Sequence, residues 1–262
     1  MEKDINSGKP LIFVTNDDGI HAPGIRMLIE RMRKIGKVVV VAPDKPQSGT
    51  AHAITVNTPL RLKSLIAEPD YEEYSCNGTP ADCVKLGFKI VMKRNPDLLV
   101  SGINHGSNSS ISVIYSGTMA AVFEGAMAGV PSIGFSFDNY SPDAELGSCA
   151  AIVSKISQKV LDEGLPDGVC LNVNIPDVPE EAMKGIKICR QARGSWQEDF
   201  DERVDPVGRK YYWLKGIFVK TGDGKDTDED ALENNYVSVV PVQFDFTSYG
   251  AVTLLKSWEA DV

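Results

Sequence analysis

Short apolar runs alternate with amphipathic stretches along the chain as far as about residue 175. LIFVT (11–15) is followed by a helical pattern over Gly24 to Ile35, and that by KVVVVAP (37–43). A helical stretch from Ala81 to Met92 precedes DLLVSGIN, which begins at Asp97. The small-residue stretch Ala120 to Ala128 precedes VPSIGFSF, and a longer helix over about Asp143 to Glu163 precedes CLNVNIP. These runs are apolar on both faces, as strands buried in a parallel sheet are, whereas a sheet with one wet face alternates. Repeated strand, loop and helix units predict an α/β fold with a doubly wound, mostly parallel sheet and right-handed crossovers. After about residue 180 the pattern breaks into strand fragments, KGIKICRQA, KYYWLKG and YVSVVPVQFDFT, separated by polar loops. The chain therefore divides into a core, 1–180, and a β-rich C-terminal extension, 181–262. The acidic run GDGKDTDEDALE within the extension lacks the glycine that a calcium loop needs at its sixth position, and is expected to be a solvated loop.

Charge and cysteine usage narrow the partners. The chain has 36 acidic against 27 basic side chains, a formal net charge of -9, and such a surface repels nucleic-acid polymers. The five cysteines, Cys76, Cys83, Cys149, Cys170 and Cys189, are widely spaced with no C-x-x-C pair. Neither a disulfide framework nor a zinc knuckle fits, and a reducing cytoplasm is expected. The opening MEKDINSGKP is polar rather than a leader, and no apolar run approaches the roughly 20 residues of a membrane span. A soluble, cytoplasmic chain with no membrane partner is expected. Trp196, Tyr211, Tyr212 and Trp213 sit in an extension with no evident core of its own, so it is expected to pack against another copy of the chain.

Open α/β sheets place their sites beyond the carboxyl ends of the strands, and here those ends are unusual. The first strand ends in Asn16-Asp17-Asp18-Gly19, the second runs into APDKPQSGTAHA, and the third into SGINHGSNSS. Turn formation explains each loop singly, but not two adjacent carboxylates aimed at one crevice. These repel unless a cation lies between them or one keeps its proton. A divalent cation is the economical answer. Carboxylates joined by a hydroxyl and an amide carbonyl make an all-oxygen set suited to Mg²⁺ or Mn²⁺, where zinc would draw His or Cys. Further on, YSGT (115–118) opens the helix MAAVFEGAMAG. There Ser116 and Thr118 serve either as caps or, with the free N–H groups of Gly117 and its neighbours, as a phosphate cradle. NGTPAD (77–82) is a second helix-opening turn, with Pro80 near the first helical position. All three histidines, His21, His52 and His105, lie in the three loops, where any one could protonate a leaving group. No G-x-G-x-x-G follows the first strand, which disfavours a dinucleotide-dependent oxidoreductase.

Six blocks in order, TNDDGIHAPGI, APDKPQSGTAHAIT, NGTPADCVKLG, VSGINHGSN, YSGTMAAVFEGAMAGVPSIGFS and TDEDALENNYVSVVPVQFDFT, resemble the successive signatures of the SurE family, the survival protein E phosphatases. They run from residue 11 to about 250. The resemblance implies a Rossmann-like core and a C-terminal segment exchanged between subunits of a homodimer or homotetramer. It also implies a metal-dependent phosphomonoesterase acting on nucleoside monophosphates, a 5′-nucleotidase with 3′-nucleotidase activity as its extension. One divalent cation per subunit, Mg²⁺ or Mn²⁺, would be held by Asp17, Asp18, Ser48 and Asn104. Asp17 and Asp18 would also serve catalysis, and Asn108, Ser116, Gly117 and Thr118 the substrate phosphate. The alternative is a regulatory module that binds metal and nucleotide without turning them over. The chain departs from the family pattern at Ser110, which stands where a glycine is usual.

Overall fold

The computed structural model describes residues 8–141, 143–222 and 224–260. Residues 1–7 of the polar opening and Asp223 of the acidic run lie outside them. Along the chain the elements are β1 (Leu11–Thr15), α1 (Pro23–Ile35), β2 (Lys37–Pro43), β3 (Leu62–Glu68), β4 (Tyr71–Cys76) and α2 (Pro80–Leu86). Next come β5 (Leu98–His105), α3 (Gly117–Met127), β6 (Ser132–Phe137), α4 (Cys149–Glu163), β7 (Val169–Ile175) and β8 (Ile186–Ile188). The chain ends with β9 (Gly194–Val204), β10 (Lys210–Lys220), α5 (Asp228–Glu233), β11 (Val237–Gln243) and α6 (Tyr249–Leu255).

Nine strands form one sheet in the order β3-β4-β2-β1-β5-β6-β7-β11-β8. The run from β4 to β7 is parallel throughout. β3 is antiparallel at one edge, and β11 runs antiparallel beside β7 with β8 parallel to it. The doubly wound arrangement follows from the apolar pattern. α1 buries Ile25, Leu28, Ile29 and Met32, the stripe of an amphipathic helix, against one face together with Val153, Ile156 and Val160 of α4. α2 and α3 cover the other face, and there Phe13, Val41, Leu99, Met119 and Val122 meet. Strands covered by helices on both sides must be apolar on both sides, and Ile12, Phe13 and Val14 are wholly buried in succession.

Three expectations change. The helix drawn from Ala81 to Met92 is α-helical only to Leu86 and continues as a π-helical turn, Gly87–Val91. The acidic run, expected to be a solvated loop, is helical in its second half, where Asp228–Glu233 form α5. Thr227 caps that helix by accepting from the Asp230 amide, and Asp228 is buried. The extension is also not uniform. β8 and β11 complete the main sheet, whereas β9 and β10 form a separate two-stranded ribbon in register from Gly194 paired with Lys220 to Val204 paired with Lys210.

Candidate active site at the carboxyl edge of the sheet

The carboxyl ends of β1, β2 and β5 lie side by side, so their loops share one edge. The turn after β1 is locally determined. Asn16 Nδ2 donates to the Gly19 carbonyl at 2.9 Å, Gly19 takes φ 97°, and the Ile20 amide donates to Pro43 at 2.8 Å, tying the turn to β2. Asp17 is thereby held 4 % exposed at the end of a buried strand. Across the sheet Thr118 donates its hydroxyl to Asp17 Oδ1 at 2.5 Å. Gly117 is pressed so close that a Cβ there would lie 2.8 Å from the Asp17 Cβ, a distance no side chain tolerates. The N-terminal turn of α3 thus grips the first carboxylate of the pair.

The electrostatics follow from that placement. Burial, and after it the neighbouring Asp18, push the Asp17 carboxyl up to about 7, while the Thr118 hydroxyl and the Asp17 and Thr118 amides pull it partway back. Asp18 is raised by burial as well, opposed by the His105 amide, which donates to Asp18 Oδ2 at 3.4 Å. Asn104, last but one in β5, donates its Nδ2 to the Gly106 carbonyl at 2.7 Å, an arrangement that leaves its carbonyl oxygen the free end of the amide. Ser48 is exposed, and the preceding Gln47 amide donates to the Asp17 carbonyl at 2.7 Å, which sets its loop beside the carboxylates. Among the described residues no three His, Cys, Asp or Glu side chains are placed to hold a metal. The expected set contains only two such groups, with a hydroxyl and an amide. Two crowded carboxylates whose charge is disfavoured by burial and by each other fit a hard divalent cation, which would remove both penalties.

The structure brings Asp17, Gly117 and Thr118 into direct contact and links Asp18 to β5. Ser116 acts as the N-cap of α3, accepting from the Met119 amide at 3.0 Å and keeping its own hydroxyl proton. Thr118 is oriented toward Asp17 rather than left free. Asn108 is buried, anchored by its amide to Asn174 Oδ1 at 2.7 Å and by its Nδ2 to Ser136 Oγ at 2.8 Å, while Asn172 Nδ2 donates to its carbonyl at 2.8 Å. The 77–82 turn does not touch Asp17. Its capping box of Thr79 and Asp82 also binds Ala53 and Thr55, in the loop that carries Ser48. Asn77 lines a separate cavity of about 380 Å³ with His21, Asp44, Arg61 and Lys63. Of the histidines, His52 is bound to Glu124, and His105 donates Nδ1–H to the Ser141 carbonyl at 3.0 Å.

Asn172 and Asn174 escaped the sequence reading, although they stand in it as polar residues at period two in an otherwise apolar strand. Ser110 was conspicuous as the departure from the family pattern, but not for the bonds it makes. It adopts φ 51°, the left-handed conformation that explains why glycine is usual there. Its amide donates to Asp228 Oδ2 at 2.8 Å and its hydroxyl to the Ala192 carbonyl at 3.0 Å, bonds that hold the backbone in place without a glycine.

Comparison with known proteins gives the chain's family. The family described as Survival protein SurE matches residues 12–198. The chain belongs to the SurE family. It is 56% identical over 256 residues to the 5′-nucleotidase SurE of Christiangramia forsetii, covering 97% of this chain and 98% of that one. To the 5′-nucleotidase SurE of Flavobacterium psychrophilum it is 57% identical over 252 residues, covering 96% and 98%. The crystal structure of the SurE protein from Aquifex aeolicus superposes with a TM-score of 0.81 at 39% identity, over 95% of this chain and 100% of that one. As a SurE chain it carries an aspartate pair, a serine loop and an asparagine-bearing β5 on the edge described above, and no helix among the described residues is long and apolar enough to cross a membrane.

Proposed function

We propose that this SurE chain is a 5′-nucleotidase that hydrolyses nucleoside monophosphates to nucleoside and phosphate, with a divalent cation, Mg²⁺ or Mn²⁺, held by Asp17, Asp18, Ser48 and Asn104. One observation carries the reading: the first turn of α3 grips buried Asp17 through Thr118, so paired carboxylates and a helix N-terminus address one point. When bound there, the cation supplies positive charge to the phosphate oxygens and acidity to the attacking water. Asp17 and Asp18 orient that water and one of them accepts its proton as it adds to phosphorus, while the phosphorus–oxygen bond to the nucleoside breaks and the departing alkoxide takes a proton from solvent water. The N–H groups of the first turn of α3, the Ser116 hydroxyl and the unused hydrogen of Asn108 Nδ2 donate to the phosphoryl oxygens, and Gly117 lets the phosphate approach the backbone. Thr118 keeps Asp17 in one orientation.

Assembly into a homodimer or homotetramer through 181–262 completes the proposal. It is supported by the exposed Phe200, Tyr212, Trp213, Leu214 and Ile217 of the ribbon. A cytoplasmic location is supported by five cysteines that are all free and buried. The test is phosphate release from 5′-AMP and 3′-AMP with Mn²⁺, Mg²⁺ or chelator. Release that needs metal, favours 5′-AMP and is lost in Asp17→Asn is expected. An Asp17→Asn chain as active as the natural one removes the assignment.

A further inference from the structure

Ser48 lies in the irregular segment 44–61 between β2 and β3, and something must fix its position relative to Asp17. The near end of the segment hangs on Asp17 through the Gln47 amide. Its middle meets helices. His52 Nε2 lies 2.8 Å from Glu124 Oε1, and its ring stacks on Phe123 with centroids 6.3 Å apart at 19°. Glu124 belongs to α3 and is 9 % exposed, and its other oxygen accepts from Lys85 Nζ of α2 at 2.6 Å. Thr79 Oγ1 donates to the Ala53 carbonyl at 2.8 Å, and the Thr55 amide donates to Asp82 Oδ1 at 3.1 Å.

We infer that Glu124 is a positioning residue for the metal site, clamping the Ser48 loop to α3 through His52; the inference rests on Ser48 being a ligand. Every other residue of α3 from Gly117 to Ala126 is buried and apolar or small, apart from Thr118, which holds Asp17. A buried carboxylate in such a helix contributes little net stability even when paired, because desolvation offsets the ion pair and an apolar residue packs as well. Geometry is what it provides. Thr118 and Glu124 lie six residues apart on one rigid helix, about 9 Å along its axis. The same element therefore holds Asp17 at its start and the Ser48 loop further along, and fixes the separation of two donors that come from different strands. Lys85 braces Glu124 from behind, and α2 carries the second pair of loop anchors, Thr79 and Asp82.

The test compares Glu124→Ala, Glu124→Gln, His52→Ala and Lys85→Met with the natural chain. Amide exchange at 47–53 is followed in the metal-free protein, Mn²⁺ affinity by calorimetry, and kcat and KM on AMP at saturating Mn²⁺. Glu124→Ala and His52→Ala should speed exchange in the loop and weaken Mn²⁺ about tenfold, while kcat at saturating metal stays within about threefold. Glu124→Gln, which keeps the hydrogen bond to His52, should recover part of the Mn²⁺ affinity, and Lys85→Met should fall between. Faster exchange and a lower Tm with unchanged Mn²⁺ affinity would reduce the clamp to a stability element and overturn the inference. Loss of kcat with unchanged affinity would overturn it differently, by making His52 a substrate contact. A natural chain that binds no Mn²⁺ would remove the metal reading itself, and loop exchange alone would then decide whether Glu124 orders the segment.

Discussion

At the carboxyl edge of the parallel sheet and in the β9–β10 ribbon, similar side chains meet opposite fates. Phe13, Phe135 and Phe137 vanish into the sheet, and polar groups beside them, Asp17, Asn108, Thr118 and Asn174, are buried with their partners assigned. In the ribbon Phe200, Trp213, Leu214 and Ile217 lie open, and the charges pair only on the surface, as Lys210 with Glu202 and Lys215 with Asp199 do. The difference is one of layers. A strand with a helix over each face has every neighbour fixed, and a carboxylate placed there has a defined field. The two-stranded ribbon has its ladder but leaves most of its side chains exposed, so its geometry needs a partner surface.

The sharpest way to break this contrast is at the first carboxylate. Asp17→Asn should lower kcat about a thousandfold, ~4 kcal/mol of transition-state stabilisation. The same change should raise the Tm of the chelated protein. The folded-state value of Asp17, about 7, lies above its unfolded one, so ionisation opposes folding above pH 7 and has no effect below about pH 4. The gain should be largest at pH 8 and vanish at pH 4, and equal melting curves of the two proteins at pH 8 would contradict the burial argument.

Gly117→Val comes next. Its side chain would strike Asp17, so kcat/KM for AMP and p-nitrophenyl phosphate should fall together by about a hundredfold, and Mn²⁺ affinity with them. Calorimetry with undiminished Mn²⁺ binding would show that the contact with Asp17 is yielding.

A third change leaves the site alone. Arg26 makes two bonds to buried Glu73, Nη1 to Oε1 at 2.9 Å and Nη2 to Oε2 at 2.6 Å, and Tyr71 also donates to that carboxylate. Burial pushes Glu73 up, but Arg26 and Tyr71 outweigh it and hold the carboxyl below its usual range. Arg26→Met should cost about 2 kcal/mol in urea unfolding at pH 7. Because the folded-state value is depressed, the stabilisation is present above the unfolded carboxyl's pKa and fades as pH falls through the folded one. The two proteins should therefore converge in acid. The smallest effect belongs to the ribbon. Trp213→Ser should change the stability of the isolated fold by less than about 0.5 kcal/mol, yet light scattering should show a smaller assembly.

How much of this could be seen in the sequence differs in the same way between the two regions. Parallel strands announce themselves, since LIFVT and KVVVVAP have no wet face and can lie only between two layers. Asp17 and Asp18 were conspicuous because adjacent carboxylates at a strand end demand compensation. The contact that orients Asp17 was not, for Thr118 lies 101 residues away and its hydroxyl suits a phosphate equally well on paper. The acidic run misled because local polarity says nothing about a distant backbone in want of an acceptor. Asp228 is buried to meet the amides of Ser110 and Ala192, the first of them 118 residues distant. Glu124 shows the same limit, its two partners lying on a different helix and in a loop.

The place of β11 has a consequence for the chain as it is being made. β7 is bordered by β6 on one side and by β11 on the other, yet residues 176–236 are synthesised between β7 and β11. While the ribosome is still adding the ribbon, the apolar strand Val169–Ile175 has its outer backbone groups unpaired, the kind of edge on which nascent chains stick to one another. The interval closes only when Gln243 has emerged and Val237–Gln243 can zip onto the waiting strand. A message cut short between Ile175 and Val237 would arrest the protein in that state, with the strands that carry the aspartate pair already made and the sheet still open at its side.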